Sequence, residues 1–95
     1  MEINEAYKQK MAAQLQEWIA QINLLDAKVK SAEADMRVRG AKELHELREK
    51  QHAASEKLKE LGTASGEAWD QLKATTDKIW EDLKKGVAEA QAKFK

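Results

Sequence analysis

Apolar residues in the first part of the chain recur at alternating spacings of four and three. Residues spaced in this way lie on one face of an α-helix, and strict alternation is typical of a coiled-coil seam. The run comprises Met11, Leu15, Trp18, Ile22, Leu25, Val29, Ala32 and Met36. It predicts a long helix that carries one continuous apolar stripe.

A second run with the same alternation follows at Leu44, Leu47, Gln51, Ala54, Leu58 and Leu61. The two runs are joined by two spacings of four through Gly40, a stutter that unwinds a supercoil locally without ending the helix. Residues 37–41 contain no Ser, Thr, Asp or Asn that would cap a new helix. We therefore predict one helix over about residues 3–61. The alternative is a break at Gly40, which would close a three-helix bundle.

Residues 62–66, Gly-Thr-Ala-Ser-Gly, form the clearest interruption of the helical pattern. Gly62 suits the left-handed residue that follows a helix end, whereas Thr63 or Ser65 suits the N-cap of the next helix. We predict a turn in this segment and a second helix over about residues 66–94.

The second helix repeats with a period of eleven, because Trp69 and Leu72 are matched by Trp80 and Leu83. An eleven-residue period keeps an apolar stripe nearly straight. We expect this helix to fold back antiparallel to the second half of the first. The predicted fold class is all-α, a helical hairpin or coiled coil that forms a single domain over residues 1–95. Its core is predicted at Leu44, Leu47, Leu58, Leu61, Trp69, Leu72, Trp80, Leu83, Val87 and Phe94.

Such a hairpin leaves residues 4–31 without a partner inside the chain. An exposed apolar stripe of this length is expected to bind another surface. We therefore predict a homodimer that associates through residues 4–31, with an unidentified protein as a second kind of partner. The predicted interface comprises Met11, Leu15, Trp18, Ile22, Leu25 and Val29.

Composition supports a helical protein and excludes several other classes. The 95 residues include no proline and no cysteine, and the 17 basic and 17 acidic side chains cancel. Nucleic-acid binding requires concentrated positive charge, so no nucleic-acid partner is expected. The lack of cysteine excludes thiolate metal sites and fits a reducing compartment. The N-terminal residues do not resemble a secretory signal.

Candidate chemistry is sparse. His45, Glu49, His52 and Glu56 share one helical stripe, which we interpret as a solvated face; the alternative is an adventitious site for a divalent ion. We predict no catalytic, cofactor-binding or metal-binding residue, and therefore no enzymatic activity.

The three tryptophans, Trp18, Trp69 and Trp80, are interpreted as core or interface anchors. The second helix also has the amphipathic character of helices that lie on lipid surfaces. Its lysines are offset by neighbouring acids, so binding to membrane surfaces or to unfolded proteins is the alternative function and not the favoured one.

Several segments resemble a family of small bacterial coiled-coil proteins that are linked to the stress response. The similar segments are Gly66-Glu-Ala-Trp-Asp-Gln-Leu-Lys, Trp80-Glu-Asp-Leu-Lys-Lys-Gly-Val, the final Ala92-Lys-Phe-Lys, and the opening stretch over residues 7–18. The resemblance implies a bacterial, cytoplasmic helical protein. It supplies no catalytic or ligand-binding residues, and residues 30–60 add nothing to it. The expected function is that of a non-enzymatic structural or partner-interaction protein, associated with stress.

Overall fold

The computed structural model describes residues 3–94 and contains three α-helices in this range. They are α1 (Ile3–Lys30), α2 (Ala34–Thr63) and α3 (Gly66–Lys93). Short connections join them, at residues 31–33 and 64–65. The predicted all-α class is therefore confirmed, although the chain forms three helices rather than two.

The helices form an elongated bundle of about 50 × 21 × 17 Å. Helix α2 is antiparallel to both α1 and α3, and it packs against each of them along most of its length. Helices α1 and α3 run parallel and approach each other over a shorter stretch. Tyr7 near the start of α1 contacts Trp69 near the start of α3, which fixes this direction.

The prediction of one helix over residues 3–61 is wrong, and the chain does not break at Gly40 either. Helix α1 ends at Lys30, where the Ser31 amide still donates to the Ala27 carbonyl at 3.3 Å. The Ala32 amide then donates to the Val29 carbonyl at 3.1 Å, which closes a tighter turn. Glu33 is extended, with φ −64° and ψ 161°, and redirects the chain into α2.

Burial of the α1 stripe explains why the chain folds back where local sequence favours a helix. Met11, Leu15, Ile22, Leu25 and Val29 are each at most 5% exposed. Burying a side chain of this kind stabilises a fold by roughly 1.5–3 kcal/mol, so five of them outweigh the few helical hydrogen bonds that the turn gives up. The stripe thus has a partner inside the chain, and the prediction that residues 4–31 are left without one is wrong.

Gly40 lies within α2, where it permits the close approach of α1 beside the turn. It is buried, and a Cβ atom at this position would lie 2.5 and 2.6 Å from the two γ-carbons of Val29. Separations this short are sterically excluded. Only glycine therefore fits the observed crossing of α1 and α2.

Gly62 has a different position from the one predicted. It lies in the last turn of α2, and no glycine among the described residues has a positive φ. The turn itself occupies Ala64 and Ser65, inside the predicted segment. The Ala64 amide donates to the Leu61 carbonyl at 3.3 Å, and Ser65 stands at the N-cap of α3 without a side-chain capping bond.

The core follows a heptad pattern along each helix. In α2 the buried residues Gly40, Leu47, Ala54 and Leu61 are separated by seven positions. In α3 the spacing of eleven between Trp69 and Trp80 gives way to spacings of three and four through Leu83, Val87 and Ala90. Of the predicted core residues, four are half-buried, namely Leu44, Leu58, Leu72 and Phe94. The other six, Leu47, Leu61, Trp69, Trp80, Leu83 and Val87, are buried.

Thr76 is the one buried polar residue in the described core, and the hydrophobic pattern does not reveal it. Its side chain is 0% exposed, and its Oγ1 has no hydrogen-bond partner among the described residues. It stands between Trp69 and Trp80 on the buried face of α3, four residues after the half-buried Leu72.

We expect Gly40→Ala to destabilise the bundle. Overpacking of this kind costs about 1–3 kcal/mol, which exceeds the roughly 1 kcal/mol that alanine gains over glycine in a helix. Thermal unfolding followed by circular dichroism measures the change. The control is Gly62→Ala, where a Cβ would meet no atom within 4 Å, and where we expect unchanged or raised stability. An equal rise in both variants would contradict the close α1–α2 approach.

Thr76→Val should stabilise the bundle by about 1 kcal/mol, because it keeps the shape of the side chain and removes a buried hydroxyl without a partner. Thr75→Val is the matched control, since Thr75 is exposed and its Oγ1 donates to the Gln71 carbonyl at 3.1 Å. Chemical denaturation of both variants provides the measurement. A loss of stability in Thr76→Val would show that the hydroxyl is satisfied in solution.

Candidate functional site

The seam between α1 and α3 is the part of the bundle where the helices are least closely packed. Two tryptophans lie in it. Trp80 is 3% exposed, and its Nε1–H donates to the Met11 carbonyl at 3.2 Å. This bond satisfies the indole nitrogen inside the core and fixes the position of α3 relative to α1.

Trp18 is half-buried and marks an open groove of about 270 Å³ between the two helices. Trp80 closes its floor, and the walls carry polar side chains from both helices. These wall residues are Gln14 and Glu17 from α1, with Glu81 and Lys84 from α3. The groove is therefore a shallow surface with an aromatic base, suited to packing against another chain and not to enclosing a small molecule.

A cluster around Tyr7 holds the other end of the same seam together. The rings of Tyr7 and Trp69 meet edge to face, with centroids 5.8 Å apart, and the Lys73 ammonium lies 5.3 Å from the Tyr7 centroid. The Tyr7 hydroxyl donates to an Asp77 carboxylate oxygen. Burial, followed by this hydrogen bond and the charge of Asp77, raises the pKa of Tyr7 well above its usual range.

Side-chain bonds also tie α1 to α2 at mid-height. The Arg48 guanidinium donates to the Asn23 amide oxygen at 2.8 Å and to the Gln51 amide oxygen at 3.1 Å. The same guanidinium lies 3.8 Å from the Asp26 carboxylate. The bond to Gln51 lies within α2, whereas the contacts with Asn23 and Asp26 join the two helices. These groups are partly exposed, so the contacts add specificity to the pairing more than stability.

A second open space, about 600 Å³ and so larger than the groove at Trp18, lies at the end of the bundle beside the first turn. Met36 and Phe94 supply its apolar surface. Its charged rim comprises Arg39, Lys42, Glu43, Glu46 and Lys93. Lys93 donates to Glu43, and that hydrogen bond together with the carboxylate charge raises the pKa of the lysine. Both signs of charge are therefore present at this end, which we call the end cleft.

The stripe of His45, Glu49, His52 and Glu56 lies on the exposed face of α2. His45 Nε2 is 2.9 Å from Glu49 Oε1, and the two side chains are 75% and 69% exposed. No group of three His, Cys, Asp or Glu side chains within residues 3–94 is arranged to hold a metal ion. The geometry is that of a solvated helix face.

The predicted interface residues lie inside the single chain rather than on its surface. Five of them are buried, and Trp18 alone is half-buried and lines an open groove. Sequence reasoning misses the Tyr7 cluster because its partners are as many as 70 residues away in the chain. One signal for it exists, since Tyr7 stands four residues before Met11 and so extends the apolar stripe.

No protein-family model, curated protein or solved structure matches this chain in comparisons with known proteins. Among the described residues, no helix combines the length and the apolar character needed to cross a membrane.

Tyr7 provides a pH test of the seam, because it is the only tyrosine in the chain. A raised pKa in the folded state means that folding favours the protonated hydroxyl. This contribution to stability is complete below about pH 10, the ordinary tyrosine value, and is lost as the pH rises towards the folded pKa. Ultraviolet titration should show tyrosinate forming at higher pH in the folded chain than in the unfolded one.

Two variants separate the causes of that shift. Asp77→Asn removes the carboxylate charge and should lower the pH at which Tyr7 ionises. Tyr7→Phe should flatten the alkaline loss of stability relative to the natural chain, because it removes the ionising hydroxyl. If the natural chain ionises like free tyrosine, the Tyr7–Asp77 contact does not persist in solution.

Proposed function

We propose that this protein is a non-enzymatic helical structural or partner-interaction module that self-associates through residues 4–31. The observation that carries the proposal is the position of α1. It holds the cleanest apolar stripe of the chain, yet it packs along its length against α2 only and meets α3 over a shorter stretch. Because that stripe is buried in the folded chain, α1 can associate with a second copy only by leaving its own bundle and packing into another.

The surface supports an interaction role over a catalytic one. Two spaces at the surface of residues 3–94, the groove at Trp18 and the end cleft, are both open to solvent. Their charged groups, such as Glu17, Glu81 and Lys84 in the groove, lie at solvent-accessible rims. Catalytic groups act in water-excluded, concave sites, and the shape of this bundle favours contact with another helical surface.

The association with bacterial stress and with the cytoplasm is part of the proposal. Its support is the likeness of the segments around Trp69, Trp80 and Trp18 to the stress-linked coiled-coil family. The absence of cysteine is consistent with the reducing conditions of that compartment.

The alternative function is reversible binding to membrane surfaces or unfolded proteins, and it requires a different state of the chain. The apolar face of α3 is turned into the core, with Trp80, Leu83 and Val87 at most 3% exposed. A lipid surface can reach this face only after α3 leaves the bundle. Self-association through α1 is the leading function because exchange of an identical helix re-forms the same buried contacts between copies, which a lipid surface cannot do.

Sedimentation velocity over a wide range of concentrations tests the proposal. We expect a reversible equilibrium between monomer and dimer, with a cooperative thermal transition that rises with protein concentration. In parallel, tryptophan emission should be unchanged by anionic vesicles, with neutral vesicles as the control. A chain that stays monomeric and shifts its emission with anionic vesicles alone would contradict self-association and support the alternative.

A further inference from the structure

We propose that two copies of this chain exchange α1 by straightening residues 31–33, so that α1 and α2 become one continuous helix from Ile3 to Thr63. Each α1 then packs into the α2–α3 pair of the other copy. This inference rests on the proposed self-association and specifies its mechanism.

The hinge contains nothing that enforces a helix end. Ser31, Ala32 and Glu33 include neither glycine nor proline, and the Glu33 side chain makes no capping hydrogen bond. The turn is held by local bonds, such as that from Ser31 Oγ to the Lys28 carbonyl at 3.1 Å. Straightening replaces these with ordinary helical bonds, and short hinges of this kind favour exchange between copies.

The apolar stripe continues in register through the hinge. Val29, Ala32 and Met36 are separated by three and four residues, the same alternation as in α1. When the hinge straightens, the stripes of α1 and α2 therefore lie on one face of the continuous helix. The change therefore keeps the apolar face of α1 turned towards its partner helices. A hinge of a different length would turn that face towards solvent.

Exchange re-forms the contacts of the closed bundle between chains. The Trp80 indole can donate to the Met11 carbonyl of the other copy, and Arg48 can donate to the other Asn23. The fit of Gly40 against Val29 is likewise retained. The closed and exchanged forms consequently differ only at the hinge and at the surfaces that the exchange brings together.

The end cleft is the surface that exchange brings together. It lies beside the hinge, and in the closed chain it leaves Met36 and Phe94 half-buried. A two-fold axis through the hinge places the cleft against the same cleft of the second copy. Its rim carries Arg39 and Lys42 together with Glu46, so it offers both charges to its symmetry mate. The end cleft of a second copy therefore matches this end cleft in both apolar surface and charge. These features favour a second copy over any other occupant.

Single-cysteine chains test the exchange directly, because the natural chain has no cysteine. Asn23→Cys and Arg48→Cys are made in separate chains, mixed, unfolded together and refolded at high concentration. A short bismaleimide should then link the two variants covalently, as seen on a denaturing gel. In closed monomers the two introduced thiols lie in different molecules, and no such product forms.

Ala34→Pro is the hinge variant that should block the exchange. Ala34 is the first residue of α2, where proline is tolerated, and the preceding Glu33 already has the extended conformation that a following proline requires. Proline at this position interrupts a continuous helix and should reduce the cross-linked product by more than about tenfold. The helical signal and the tryptophan emission of the monomer should be unchanged. Ser31→Ala, which removes a bond of the turn, should increase the product.

The outcomes separate the mechanism from the function. A dimer in sedimentation that yields no cross-link between the Asn23→Cys and Arg48→Cys chains overturns the exchange and leaves self-association standing. If Ala34→Pro does not reduce the cross-linked product, the exchange is likewise overturned and self-association is left standing. A monomer at every concentration in the natural chain and in Ser31→Ala overturns both.

Discussion

The close contact between Gly40 and Val29 is the constraint on which the rest of the bundle depends. Because Gly40 has no side chain, α1 can lie against α2 immediately after the turn at residues 31–33. This places the whole stripe from Met11 to Val29 against α2, and α3 then covers the remaining open side of both helices. A bulkier residue at position 40 would separate the helices beside the turn, where the Val29 side chain is branched and has little freedom to move. One small residue therefore determines where the longest apolar stripe of the chain is buried.

Much of the fold can be predicted from the sequence, because helix formers, the lack of proline and the heptad spacing all act locally. The second turn is predicted correctly, since the glycines at 62 and 66 bracket it. The first turn is not, because Ser31, Ala32 and Glu33 are compatible with a helix and the stripe passes through them in register. What ends α1 there is the burial of its stripe against a helix that follows later in the chain. Such a tertiary preference leaves no local signal, and the stutter at Gly40 marks a helix crossing rather than a change of supercoil.

In the candidate site, too, the spacing of residues along the chain predicts some features, whereas others depend on contacts between residues far apart in sequence. The spacing of Trp18, Trp69 and Trp80 predicts that all three anchor packed surfaces, and each lies in or beside the α1–α3 seam. The pairing of Tyr7 with Asp77 joins residues far apart in sequence, and no spacing rule reveals it. A polar residue does not contribute to an apolar pattern, so the pattern omits Thr76 although it is completely buried. The histidine stripe lies on the exposed face of α2, where the spacing of its residues along the chain predicts a solvated surface.

Exchange of α1 between copies requires a chain that folds back on itself and yet carries a hinge able to straighten. Small-angle X-ray scattering from a dilute, monomeric solution tests this closed form most directly. We expect a longest dimension close to 50 Å and a radius of gyration near 15.3 Å, as the folded bundle has. A monomer with a longest dimension of about 90 Å, the length of one helix from Ile3 to Thr63 at 1.5 Å per residue, would contradict it.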